Sequence, residues 1–109
     1  MATATKVLGQ SAPVAATLTT LYTVPASTAA VASSLTVCNQ SATATSFRVA
    51  VRPAGASIAA AHYLFYDVAL PGNDTFIATI GFTLATTDVV TVYATLATVS
   101  VTLFGEETT

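Results

Sequence analysis

The chain has 109 residues and a net charge of −2, and charged residues make up 7% of it, against roughly 25% in an average soluble protein. This length accommodates one domain with a modest two-layer core. The three basic residues form no basic patch, which argues against nucleic-acid binding. No apolar run approaches the ~18 residues that a membrane-spanning helix needs, which argues against a membrane partner.

The N-terminal quarter predicts an arm and two short strands. Residues 1–5 form the arm, and Lys6–Leu8 is a brief strand that ends at Gly9. This start lacks the charged residues and apolar stretch of a signal peptide, so we expect synthesis and folding in a cytoplasm. The second strand, Thr17–Val24, stops at Pro25 because proline cannot donate a ladder hydrogen bond.

The clearest local pattern is a pair of strands, Ala30–Asn39 and Thr45–Arg52, joined by polar residues typical of turns. Apolar side chains recur at every second position on both strands, as at Leu35 and Val37 on the first. Such alternation gives one apolar and one wetter face. We predict that the two strands form a hairpin.

The second half predicts four more strands. Tyr63–Ala69 is so rich in large apolar side chains that we expect it to be buried on both faces. Thr75–Leu84 is a strand by alternation, and Gly81 within it marks either a bulge or a close approach of another backbone. Val89–Ala94 and Val99–Phe104 form a closing pair, followed by a tail at 106–109.

About eight strands, turn signals every 8–12 residues and no long helix predict an all-β protein. We expect a single antiparallel β-sandwich or jelly-roll-like domain over residues 1–109. Residues 58–62 fit either one helical turn or a lead-in to the next strand.

Residue types that carry chemistry are scarce and scattered. The single histidine, His62, has no partner at a spacing typical of a catalytic triad, and Gly-x-Ser-x-Gly is absent, so we expect no enzyme. Asp74 and Asp88 lie in predicted turns, where carboxylates usually cap backbone amides, and we predict no metal or cofactor. Cys38 lacks a partner for an internal disulfide and is expected to be a reduced strand residue.

Two groups of side chains admit more than one interpretation. Arg48 and Arg52 share one face of a strand and fit a solvated face, an ion pair with Asp67, or a pair with a neighbouring subunit. The four tyrosines fit a half-buried core with hydroxyls at its rim, which we favour, or a surface on which sugars stack.

The scarcity of charge predicts assembly. A free monomer usually carries about 25–35% charged residues on its surface, whereas subunits covered by neighbours do not need charge for solubility. We therefore expect a homo-oligomer, with a trimer as one arrangement. Candidate contact residues are Lys6, Leu8, Arg48 and Arg52.

Several short segments of the chain together resemble a family of small virion structural proteins of tailed bacteriophages. They are Lys6-Val-Leu-Gly-Gln10, Leu21-Tyr-Thr-Val-Pro25, Val37-Cys-Asn39, Phe47-Arg-Val-Ala-Val-Arg-Pro-Ala-Gly55, His62-Tyr63, Asn73-Asp-Thr75, Gly81, Asp88-Val-Val-Thr-Val-Tyr93 and Phe104-Gly105. The resemblance implies a virion component without enzymatic activity, made in the host cytoplasm. Its partners would be the major capsid protein, if it decorates and cements the capsid, or tail proteins, if it belongs to the tail, baseplate or fibre.

Overall fold

The computed structural model describes residues 2–109 and contains nine strands in two antiparallel sheets. The five-stranded sheet consists of β1 (Thr3–Ser11), β3 (Ala29–Asn39), β6 (Thr75–Ala78), β7 (Phe82–Leu84) and β9 (Val99–Thr108). The four-stranded sheet consists of β2 (Thr19–Thr23), β4 (Thr45–Arg52), β5 (Tyr63–Leu70) and β8 (Val89–Ala94). The predicted all-β antiparallel sandwich is confirmed.

Strand order shows how the chain folds back on itself. The first strand pairs with the last, β2 with β8, β3 with β6 and β7, and β4 with β5. The chain thus forms one long hairpin whose tip is at residues 53–62. Two further pairings, β3 with β9 and β4 with β8, roll this hairpin into two sheets. This is the jelly-roll arrangement of a double-sheet sandwich.

The pairing of both predicted hairpins is wrong, although all four of their strands exist. Three have the predicted bounds to within one residue, and the last, β9, extends four residues beyond its predicted end. β3 and β4 lie in different sheets, and so do β8 and β9. Leu35 on β3 and Phe47 on β4 both face the core, but from opposite sides of it. Alternation distinguishes the inward face of a strand from the outward one, and it carries no information about which sheet the strand joins.

Both ends of the described chain are paired, which overturns the predicted arm at 1–5 and tail at 106–109. Thr3–Thr5 form a ladder with Glu106–Thr108, and the backbones of Ala2 and Thr109 exchange hydrogen bonds of 3.1 and 2.8 Å. Met1, the first residue of that arm, lies outside the described residues. These threonine-rich ends lack an apolar alternation, so their backbone pairing leaves no pattern in the sequence.

Two strand predictions in the second half also need correction. β5 is an edge strand, not one buried on both faces: Leu64 is 42% exposed and Tyr66 58% exposed. Large side chains are compatible with either position, and only the strand order decides. The predicted strand Thr75–Leu84 is divided into β6 and β7 by the non-strand residues 79–81, and both parts pair with β3.

At one side of the sandwich three phenylalanines close the gap between the sheets. Phe47 and Phe65 come from the four-stranded sheet and Phe76 from the five-stranded one. The ring centroid of Phe76 lies 5.1 Å from that of Phe47 and 5.2 Å from that of Phe65, in tilted and edge-to-face arrangements typical of favourable aromatic pairs. We call this the aromatic seam.

At the opposite side the sheets are joined by polar groups. Glu107 on β9 accepts a hydrogen bond from the hydroxyl of Tyr22 on β2, and its Oε1 lies 2.7 Å from Nζ of Lys6 on β1. Lys6 and Tyr22 hold the pKa of Glu107 below its usual range, whereas burial and the nearby carboxylate raise that of Tyr22. We call this the polar seam. Its backbones are so close that a Cβ at Gly9 would lie 2.2 Å from the Leu21 carbonyl oxygen.

Candidate functional site: the outer face of the four-stranded sheet

Two irregularities in β5 decide which of its side chains point outward. Tyr63 lies opposite Ala50 and Phe65 opposite Val49, so Leu64 is an extra residue on β5. In a regular strand, residues 63 and 66 would point to opposite faces because side chains alternate. The bulge removes this difference and places Tyr63 and Tyr66 together on the outer face.

A second bulge follows immediately, where Tyr66 and Asp67 together oppose Arg48 on β4. Asp67 has a φ of 49°, in the left-handed region that aspartate adopts more readily than most residues. The extra residue lets both the tyrosine ring and the carboxylate reach the same arginine.

Arg48 is held by groups from both neighbouring strands. Its Nε and Nη2 donate to Asp67 Oδ1 and Oδ2 at 2.6 and 3.2 Å. The guanidinium carbon lies 4.2 Å from the ring centre of Tyr66 and 4.3 Å from that of Tyr93 on β8. These contacts raise the pKa of Arg48, and the guanidinium lowers that of Asp67. Of the open alternatives for Arg48, the ion pair within the chain is the one present.

A groove lies beside this cluster. Ile58, Ala59, Ala60, Tyr63 and Tyr66 line an open depression of about 600 Å³. The two tyrosine rings meet almost at right angles, at 86°, with their centres 4.9 Å apart. We call this the tyrosine groove; all five of its lining residues are uncharged.

A smaller depression of about 170 Å³ continues across the same sheet and shares Ile58 with the tyrosine groove. Its other lining residues are Leu18, Thr20, Arg52 and Thr91. Arg52 donates to the Thr91 hydroxyl and to the Ala56 carbonyl, both at 3.1 Å. Hydrogen bonds within the chain therefore hold this second arginine.

His62 shapes the wall of the tyrosine groove. It ends the short 3₁₀ turn Ala60–His62, which decides the open question over residues 58–62 in favour of a helical turn. Its Nδ1 accepts a hydrogen bond from the backbone N–H of Ala59 at 3.1 Å. The imidazole thus fixes the loop that precedes Tyr63.

The four predicted contact residues do not form one site. Arg48 and Arg52 lie on the outer face of the four-stranded sheet, whereas Lys6 lies at the polar seam. The prediction that Leu8 contacts a partner is wrong. Leu8 is the extra residue of a bulge in β1 and is buried in the core, so it is not available to a partner. Gly9, which adjoins the bulge, is the one feature of the sequence that could have marked it.

The carboxylates predicted to cap turns do so. Asp74 accepts from the N–H of Thr75, and Asp88 accepts from those of Ala54 and Ala85. Within residues 2–109 no three histidine, cysteine or acidic side chains come together as a metal site would require. Over the same residues, no helix has the length and apolar character needed to cross a membrane.

The outer face of the five-stranded sheet differs in character. It exposes Val7, Val31, Ile77 and Phe104 among serine and threonine side chains. According to the register, Glu106 is the one charged residue on the described strands of this sheet whose side chain faces outward. We call this surface the apolar face.

Sequence reasoning identified the tyrosines but not their grouping. The bulges that bring Tyr63 and Tyr66 to one face carry no glycine or proline that would have marked them. The one available signal was the strand itself, whose outward and inward positions are both filled by large side chains.

No protein-family model, curated protein or solved structure matches this chain. The resemblance to phage virion proteins therefore depends on the short sequence segments alone, and the assignment of the candidate site depends on the geometry of its residues.

Proposed function

We propose that this chain is a non-enzymatic structural protein of a tailed-bacteriophage virion, present in many copies, which decorates the capsid and stabilises it through contacts among subunits. The observation that carries this role is the apolar face, which combines four exposed apolar side chains with one carboxylate. By register Val7 and Phe104 are direct neighbours on this face, and adjoining exposed apolar side chains are typical of a surface that another protein covers.

The physical basis of cementing is burial of this face. Each Å² of apolar surface removed from water contributes about 25 cal/mol before association costs are subtracted. A partner such as the major capsid protein, or a second copy in a homo-oligomer, meets almost no charge that it must desolvate there. The jelly roll also occurs in viral capsid domains, an analogy of fold that does not by itself give a function.

Quantitative mass spectrometry of purified particles tests this role. We expect a copy number comparable to that of the major capsid protein. A handful of copies per particle would instead indicate a tail, baseplate or fibre component, and absence from particles would overturn both.

A matched pair of variants then tests the face itself. Val31→Glu places a charge on the apolar face and is expected to abolish binding to particles that lack the protein. Val14→Glu makes the same change on a loop away from that face and is expected to bind normally. Equal binding of the two variants, with unchanged melting temperatures, would contradict the assignment of the face.

A second candidate function is a tail, baseplate or fibre module that contacts the host surface. The specific observation in its favour is the exposed Tyr66 beside the half-buried Tyr63, because aromatic side chains are enriched where proteins bind partners. Copy number separates this candidate from capsid decoration.

A further inference from the structure

We propose that the tyrosine groove binds a neutral, pyranose-based glycan, whose ring stacks on Tyr66 and is flanked by Tyr63. The proposal names a ligand class for the second candidate function, the host-contacting module, and its biological setting rests on that function. The binding itself is a property of the isolated chain.

The shape of the groove suits a sugar ring. Two tyrosine rings stand at 86° to each other, and Ala59 and Ala60, which line the same depression, carry small side chains that take up little of its volume. Its volume of about 600 Å³ falls within the ~300–1,000 Å³ typical of small-molecule sites. A pyranose has an apolar C–H face and a polar rim, which match an aromatic ring that carries a hydroxyl.

The platform is held in place before any ligand arrives. Arg48 lies 4.2 Å behind the Tyr66 ring, and Asp67 fixes the guanidinium through two hydrogen bonds. A tyrosine has two side-chain torsions to restrict, so a ring held in this way loses little freedom on binding. A surface whose charged groups serve only to hold a ring is suited to recognition by stacking.

The charge of the site selects among ligands. The lining residues of the groove are uncharged, and the nearby guanidinium of Arg48 is matched by a carboxylate. Arg52, in the adjoining depression, has no carboxylate partner, but its guanidinium already donates to the Thr91 hydroxyl and the Ala56 carbonyl. An anionic ligand would therefore find no cation in the lining of the groove itself, and nucleic acid would lack a basic patch for its phosphates.

A peptide is a poorer occupant. Peptides most often bind sheets by adding a strand to an edge. Both bulges of β5 fall within Tyr63–Asp67, at the edge beside the groove, and they interrupt the ladder geometry that such a strand would need.

Titration with neutral trisaccharides tests the proposal, with cellotriose, maltotriose and triacetylchitotriose as probes up to about 10 mM, a range that detects millimolar complexes. The chain has no tryptophan, so its emission comes from its four tyrosines, and the assigned NMR signals of the Tyr63 and Tyr66 rings report on the groove itself. We expect saturable changes at Tyr63 and Tyr66 with at least one probe. A sulfated trisaccharide should bind more weakly.

Three variants sharpen the test. Tyr66→Ala should weaken binding roughly tenfold or more through loss of the stacking contact, whereas Tyr66→Phe, which keeps the ring, should retain most of it. Ile77→Ala is the matched control, because it removes a 63% exposed side chain from the opposite sheet and should bind as the wild type does. Arg48→Met should weaken binding less than Tyr66→Ala and broaden the ring signals of Tyr66, since Arg48 positions the ring.

Absence of any change at Tyr63 and Tyr66, or equal binding by Tyr66→Ala and the wild type, would overturn the proposal. So would sedimentation showing that wild-type copies associate through the groove and that Tyr66→Ala separates them. The copy number in particles is measured independently, so failure of the glycan titration and failure of the virion role are distinguishable.

Discussion

At the polar seam, two charged side chains and a hydroxyl join β1, β9 and β2, whereas at the aromatic seam three phenylalanine rings fill the space between β4, β5 and β6. The first brings two backbones into close contact and needs Gly9 to do so. The second fills the gap between the sheets with the volume of its side chains. Different seams can thus close one sandwich, and they should respond differently to volume and to pH.

The largest effect is expected at the polar seam, where the backbones of β1 and β2 approach closely. A Cβ at Gly9 would lie 2.2 Å from the Leu21 carbonyl oxygen, so Gly9→Val must push β1 away from β2. We expect a loss of about 3 kcal/mol or more in the free energy of unfolding, measured by urea denaturation.

The matched control for this change is Gly81→Val, between β6 and β7 on the other side of the sandwich. A Cβ there has as its nearest neighbour the Ala32 carbonyl oxygen, at an ordinary 3.9 Å. We expect little change in stability. Similar losses for the two variants would contradict the difference in backbone approach between the seams.

The aromatic seam should be sensitive to loss of volume. Phe76→Ala removes the ring that contacts both Phe47 and Phe65 and leaves a gap between the sheets. Because Phe76 is only partly buried, we expect a loss of about 2–3 kcal/mol, measured in the same way. Phe104→Ala, on the apolar face, is the control and should cost well under ~1 kcal/mol.

The smallest effect concerns pH. The pKa of Glu107 is lowered in the folded protein, so the carboxylate stabilises the fold above its ordinary value of 4.5 and the contribution is lost as the pH falls through the lower folded value. The pKa of Tyr22 is raised in the folded protein, so its effect on stability has the opposite pH dependence. Its contribution to the free energy of unfolding is present below the ordinary pKa of 10.0 and is lost as the pH rises above it.

Thermal melts across this pH range test the assignment. Glu107→Gln should cost about 1 kcal/mol or less at neutral pH, and its difference from the wild type should shrink below pH 4.5. Glu106→Gln removes the adjacent carboxylate from the outward side of β9 and serves as the control. A difference that stayed constant down to strongly acidic pH would show that Glu107 acts through its hydrogen bonds rather than its charge.

Alternation of apolar residues was sufficient to locate most strands, since β3 and β4 have almost the predicted bounds. It did not predict their pairing, because the jelly roll pairs strands that are distant in sequence, such as β1 and β9. The role of Asn39 was also hidden. In a sequence it resembles a turn residue, yet it is buried and hydrogen-bonded to Ser41, Thr43, Pro71 and Thr98 in three loops.

The candidate site was predictable in its residue types and not in its layout. An ion pair between Arg48 and Asp67 was among the sequence-based alternatives, and it forms because a bulge brings the carboxylate to the arginine. The apolar face was foreseen only as a general lack of charge. Which exposed residues share a face depends on strand order and register, and both are properties of the folded chain.

The irregular strands at the margins of the two sheets bear on how such a chain avoids aggregation. β1, β2 and β5 carry bulges, and the strand opposite β5 is broken into β6 and β7. Valine- and threonine-rich strands with few charges are otherwise good templates for cross-β fibrils, because unpaired backbone groups on a flat margin recruit further strands. Bent and interrupted margins deny that growth, so copies of this protein can be crowded together while remaining separate folded units.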